Sequence, residues 1–132
     1  MIWDRVAPLY DLAVNTLNRR VYDGTGTAVA RLIRPGDTVL ECACGTGTIS
    51  AAIAPTCARV VATDYSEGML KQARKKLAKH SNVTVEQADI TALRYAADSF
   101  DVAVAGNVIH LLPEPGDALK ELKRVVRPGG TI

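Results

Sequence analysis

The sequence predicts an α/β fold, a doubly wound parallel sheet with helices on both faces, and three observations predict it. Short apolar, β-branched runs alternate with segments of helical period along the chain. A glycine turn, Gly45-Thr46-Gly47, follows the first such run and leads into a helix. Carboxylates stand at the ends of the first three runs, at Glu41, Asp64 and Asp89, where open α/β sheets gather their ligands.

Taken in order, residues 2–33 read as helical, with breaks at Ala7-Pro8 and Asp23-Gly24. Arg34-Pro35-Gly36-Asp37 ends that stretch, because proline cannot continue a helix and glycine permits the turn. Thr38–Cys42 is a buried strand. After the glycine turn, Thr48–Ala54 is a small-residue helix stopped by Pro55. Arg59–Thr63 is a second strand, ending at Asp64. Ser66 can cap the next helix, whose buried stripe is Met69, Ala73 and Leu77. Lys71, Arg74, Lys75 and Lys79 fall on its other faces and read as a solvated surface in preference to an RNA-binding one.

Asn82–Glu86 alternates as a third strand, and Phe100–Ala105 is an apolar fourth. Leu119, Leu122, Val125 and Val126 mark a helix over residues 117–127. Arg127-Pro128-Gly129-Gly130 is a turn before a fifth strand that opens at Thr131-Ile132.

The chain has 132 residues, enough for one domain. Its hydrophobic share of 48% is that of a globular protein, and the net charge of +2 is too small to imply a nucleic-acid or membrane partner. No apolar run reaches the roughly 20 residues a membrane span requires. No secretory signal is evident, so a cytoplasmic protein is expected. Cys42, Cys44 and Cys57 form no disulfide framework, and Cys42 and Cys44 lack the spacing of a zinc or redox pair. All three read as small packing residues, and no metal site is expected.

The strand ends carry the chemistry. A glycine loop alone would suit a dinucleotide, but Glu41 lies four residues before Gly45, and its charge repels a pyrophosphate. That counts against a nicotinamide-dependent dehydrogenase. A cationic ligand is favoured instead. Asp64 lies roughly 20 residues beyond the loop, where a carboxylate accepts hydrogen bonds from ribose hydroxyls.

Val39–Gly47 resembles motif I of the class I S-adenosylmethionine (SAM)-dependent methyltransferases, with Ala43 in place of the commoner first glycine. Ala62–Leu70 is similar to that family's ribose-binding segment, Gln87–Ile90 to its adenine segment, and Asn107–Pro115 to its motif IV. Trp3–Asp11 resembles the N-terminal signature of the ubiquinone/menaquinone-biosynthesis group. The resemblance covers nearly the whole chain and implies a Rossmann-like fold with N-terminal helices over residues 1–33 and a core over 37–132.

It also implies a site. Glu41, Ala43, Gly45, Thr46 and Gly106 would hold the methionine end of SAM, and Asn107 would also contact the cofactor. Asp64 would bind the ribose, Tyr65 and Met69 the adenine face, and Asp89 and Ile90 the adenine edge, with Tyr10 closing over the sulfonium. His110 is the candidate general base. The product would be S-adenosylhomocysteine, and the acceptor a small molecule such as a quinone precursor. The family fold has seven strands, so a chain ending in its fifth reads as truncated. Two further expectations follow: a SAM-binding module without catalysis as the alternative function, and self-association through the fifth-strand edge.

Overall fold

The computed structural model describes residues 4–5, 19–106 and 108–132. Their elements are α1 (Arg19–Ala30), β1 (Thr38–Cys42), α2 (Thr48–Ile53), β2 (Arg59–Asp64), α3 (Glu67–Leu77), β3 (Val83–Gln87), β4 (Phe100–Ala105), α4 (Pro115–Val125) and β5 (Val126–Thr131). Short 3₁₀ turns follow α2 at Ala54–Thr56 and precede α4 at Ile109–Leu111.

The strands form one sheet in the order β3-β2-β1-β4-β5, with every neighbouring pair parallel. The order reverses at β1, so the crevice beyond the tips of β1, β2 and β4 is where this topology seats a ligand. Strands β1 and β2 are mostly apolar because both of their faces are covered. On one face Val39, Val60 and Ala62 pack with Ile49 and Ile53 of α2 and Leu70, Ala73 and Leu77 of α3. On the other, Leu40, Cys42 and Val61 pack with Phe100, Ala103 and the Ala118, Leu122 and Val125 stripe of α4.

Ser66 caps α3 as its sequence predicts, its hydroxyl accepting from the Met69 N–H at 3.2 Å. The same hydroxyl donates to Asp4 Oδ1 at 2.5 Å, and Asp4 also accepts from the Gly68 N–H at 2.7 Å. A carboxylate from the start of the chain thus sits on the positive end of α3.

Three expectations change. The break at Asp23-Gly24 is absent, and α1 runs through it. A Cβ at Gly26 would lie 2.6 Å from the Ala52 methyl, so that glycine serves a close crossing of α1 over α2. The fourth helix ends at Val125 instead of residue 127, and Leu119 is half exposed. Its apolar stripe runs through Ala118, Leu122 and Val125 at helical spacing. The fifth strand begins at Val126, not Thr131. It pairs at Phe100–Val126 and again at Val102–Thr131, so Arg127–Gly130 is a bulge within the strand, with Gly129 at φ 79°.

Candidate functional site

Past the tips of β1, β2, β3 and β4 lies a cavity of about 500 Å³. Its floor is the loop after β1. Ala43, Gly45 and Gly47 in that loop take positive φ values of 54°, 56° and 92°. At Ala43 this is a conformation that costs a residue with a Cβ about 1–2 kcal/mol, which explains why a glycine is at home there. At Gly47 a Cβ would also lie 2.9 Å from Leu77 Cδ1, so the loop rests directly on α3.

Backbone and carboxylate bonds tie the loop to the neighbouring strand. The Cys44 N–H donates to the Thr63 carbonyl at 2.8 Å. The Gly45 N–H donates to Asp64 Oδ2 and the Ser66 N–H to Asp64 Oδ1, each at 2.9 Å. An ionised carboxylate has about four lone-pair positions, so Asp64 locks the loop and keeps acceptor capacity for a ligand.

Glu41 is 1% exposed, although it borders the cavity. Ser50 donates its hydroxyl to Glu41 Oε1 at 2.5 Å, and Thr63 Oγ1 donates to the Glu41 carbonyl at 2.9 Å. Burial pushes its carboxyl up to about 7, and the nearby Asp64 charge pushes the same way, against the pull of Ser50. The full negative charge that the sequence suggests at Glu41 is therefore shared with a protonated form near neutral pH, and an arriving cation favours the ionised one.

Asp89 borders the cavity from an exposed turn, where Oδ1 accepts from the Thr91 N–H at 2.9 Å and the Thr91 hydroxyl at 2.6 Å. The loop that carries it is held from behind by Arg124. That side chain donates to the Tyr95 and Leu93 carbonyls at 2.7 and 2.9 Å, and it pairs with Glu121.

Ten of the residues predicted from the sequence border this one cavity: Glu41, Ala43, Gly45 and Thr46 from the β1 loop, Asp64, Tyr65 and Met69 after β2, Asp89 and Ile90 after β3, and Gly106 after β4. Tyr10 and Asn107 lie outside the described residues. His110 is exposed on its 3₁₀ turn and is not among the residues that border the cavity.

Sequence reasoning gave no individual role to Thr48 and Ile49 at the start of α2, to Thr63 and Ala88 at strand ends, or to the apolar wall of Val108, Leu111, Leu112 and Pro113, although all but the first two lie in segments that carry the family resemblance. The wall had a signal, an apolar run ended by proline directly after a strand. Cys42 and Cys44 also border the cavity, but burial pushes the Cys42 thiol up to about 12 and the Cys44 thiol well above its usual range. Both stay protonated and act as packing groups. Among the described residues no helix is long and apolar enough to cross a membrane.

Known proteins resemble this chain in sequence and in fold. The chain is 39% identical to a demethylmenaquinone methyltransferase of Clavibacter sepedonicus over 99% of its own length and 54% of the relative's. It is 35% identical to a ubiquinone/menaquinone biosynthesis C-methyltransferase of Bdellovibrio bacteriovorus, over 99% and 58%. The chain thus spans a little over half the length of these curated relatives. Among solved structures, a SAM-dependent methyltransferase from Aquifex aeolicus superposes with a TM-score of 0.71 at 27% identity, over 78% of this chain and 58% of that one. Phosphoethanolamine N-methyltransferase 1 of Haemonchus contortus, at 18% identity, shares the fold with a TM-score of 0.82 over 98% and 29%. The family described as a methyltransferase domain matches residues 40–132, and the chain belongs to it.

Proposed function

We propose that the cavity holds SAM and that the protein transfers its methyl group to a small apolar acceptor, with a quinone precursor as the leading candidate. One observation carries this reading: carboxylates from three successive strand ends, Glu41, Asp64 and Asp89, border a single cavity floored by a glycine loop.

The residues suit the ligand. Its ammonium and sulfonium are cations that gain from acidic neighbours, its ribose hydroxyls donate to a carboxylate, and its adenine amino group needs an acceptor. A dinucleotide would bring its diphosphate against Glu41, which borders the cavity at the end of β1. Nothing lies within 4 Å of a Cβ built at Gly45, which leaves room for close approach to the loop. A volume of about 500 Å³ falls within the range of small-molecule pockets.

SAM, when bound, supplies an electrophilic methyl group on a positively charged sulfur. The residues of the chain then bind, orient and exclude water. Asp64 accepts from the ribose while its backbone bonds keep it fixed. Met69, 5% exposed, and the exposed Tyr65 offer apolar surface to the adenine. Val108, Leu111 and Leu112 supply an apolar wall for a ring-bearing acceptor and keep water from the transfer. The sulfonium leaves as a neutral thioether, and methylation of a ring carbon or phenol oxygen releases one proton, taken up by a base or by water. Alignment of donor and acceptor supplies much of the rate, so the reading does not require His110 to be that base.

The names of the relatives favour a quinone precursor as the acceptor. A cytoplasmic location is proposed with it. Self-association is proposed at the β5 edge, where Leu32, Leu119 and Ile132 are exposed, and light scattering on the eluting protein tests it.

Calorimetry with SAM, S-adenosylhomocysteine and NAD tests the binding reading. Heat is expected from the first two and none from NAD. Heat from NAD alone would overturn it. Labelled SAM with demethylmenaquinone then separates transfer from binding without catalysis.

A further inference from the structure

The sequence reading left Lys76 unassigned. It lies on α3 beside the buried Ala73 and Leu77, on the side where that helix supports the glycine loop. Its ammonium donates to Thr46 Oγ1 and to Thr48 Oγ1, both at 3.2 Å. Thr46 and Thr48 border the cavity, whereas Lys76 does not. A positive charge therefore sits one residue behind the wall, in contact with two hydroxyls that form part of it.

This answers a difficulty in the site as described. Glu41, Asp64 and Asp89 suit the cationic and hydroxyl groups of SAM, but its amino-acid end also carries a carboxylate. Glu41, the acidic residue assigned to that end, would repel it. A hydroxyl has two acceptor positions and one donor. When Thr48 accepts from an ammonium, its oxygen is polarised and its O–H becomes a stronger donor. The loop then offers an anion what the strand tips cannot.

We propose that Lys76 is a positioning residue that makes the site selective for the carboxylate of the amino-acid end of an adenosyl ligand, by fixing and polarising the Thr46 and Thr48 hydroxyls. This rests on the reading that the cavity takes SAM. It makes one end of the cavity a receptor for a zwitterion, with acceptors for the ammonium and polarised donors for the carboxylate.

The test compares three ligands by calorimetry on the purified chain: SAM, decarboxylated SAM, which keeps both cationic centres, and 5′-methylthioadenosine, which lacks the amino-acid end. Lys76→Met is expected to weaken SAM about tenfold or more, the scale of one charge-assisted hydrogen bond. The other two ligands should shift less than twofold, and Lys76→Arg should recover most of the loss. Where Lys76→Met fails to fold, Thr48→Val removes one acceptor, leaves the lysine, and should show the same selective loss. Equal weakening of all three ligands would mean a merely structural lysine and overturn the proposal, as would unchanged SAM affinity. A wild-type chain that binds none of the three overturns the SAM reading itself, and the proposal with it.

Discussion

The cavity has two unlike walls. On the β1–β2 side the polar groups are interlocked: Ser50 on Glu41, Thr63 on the Glu41 carbonyl, Gly45 and Ser66 on Asp64. Those bonds fix the side chains before any ligand arrives. On the β4 side the wall is apolar, and Leu111 is 65% exposed. Directional bonds specify one ligand, whereas a loose apolar face accepts many. Under the proposed function, this contrast gives the interlocked wall to the methyl donor and the apolar wall to the acceptor.

The strongest way to break this comparison is at Asp64. Asp64→Ala removes a ligand acceptor and orphans two backbone N–H groups at once. SAM affinity should fall about a thousandfold, ~4 kcal/mol, as read by calorimetry. A loss below fivefold would show that the interlocked wall is not the donor site.

Next comes Glu41, through pH. Burial lifts its carboxyl from 4.5 to about 7, so the folded state holds that proton more tightly than the unfolded chain. Its stability contribution is present in full below about pH 4.5 and is lost as pH rises through about 7. Asp4, Asp101 and Glu121 are shifted down by their hydrogen bonds and slope the opposite way. Comparison with Glu41→Gln isolates the Glu41 effect. Between about pH 4 and pH 8, wild type should lose about 3 kcal/mol relative to the variant in urea unfolding. Its affinity for SAM should rise over the same interval and level off above about pH 7.

The apolar wall gives a smaller, separable effect. Leu111→Ser should raise the acceptor KM about fivefold, ~1 kcal/mol, and leave SAM affinity unchanged. Equal effects on both ligands would erase the distinction between the walls. The smallest change is expected at His110. It stands exposed and outside the cavity border, so His110→Ala should alter turnover less than twofold. A tenfold fall with SAM affinity intact would restore it as the base.

Legibility followed the range of the interaction. The bounds of β1 and β4 could be read directly, because a strand covered on both faces must be a short apolar run. The Ser66 cap and the Met69, Ala73 and Leu77 stripe were readable because their causes are local. Gly26 was not, since its reason is Ala52 on another helix. Asp4 on Ser66 spans 62 residues, and Lys76 reaches Thr46 and Thr48 across 30 and 28. No local pattern announces such partners. In β5, Pro128 and Gly129 read as a stop, yet the parallel partner β4 recaptures the chain after the bulge.

The crossing at Gly26 has a mechanical consequence. With no side chain at Gly26, α1 meets the Ala52 methyl of α2 directly at their crossing. A larger side chain at Gly26 would push α1 off α2, the helix into which the glycine loop leads.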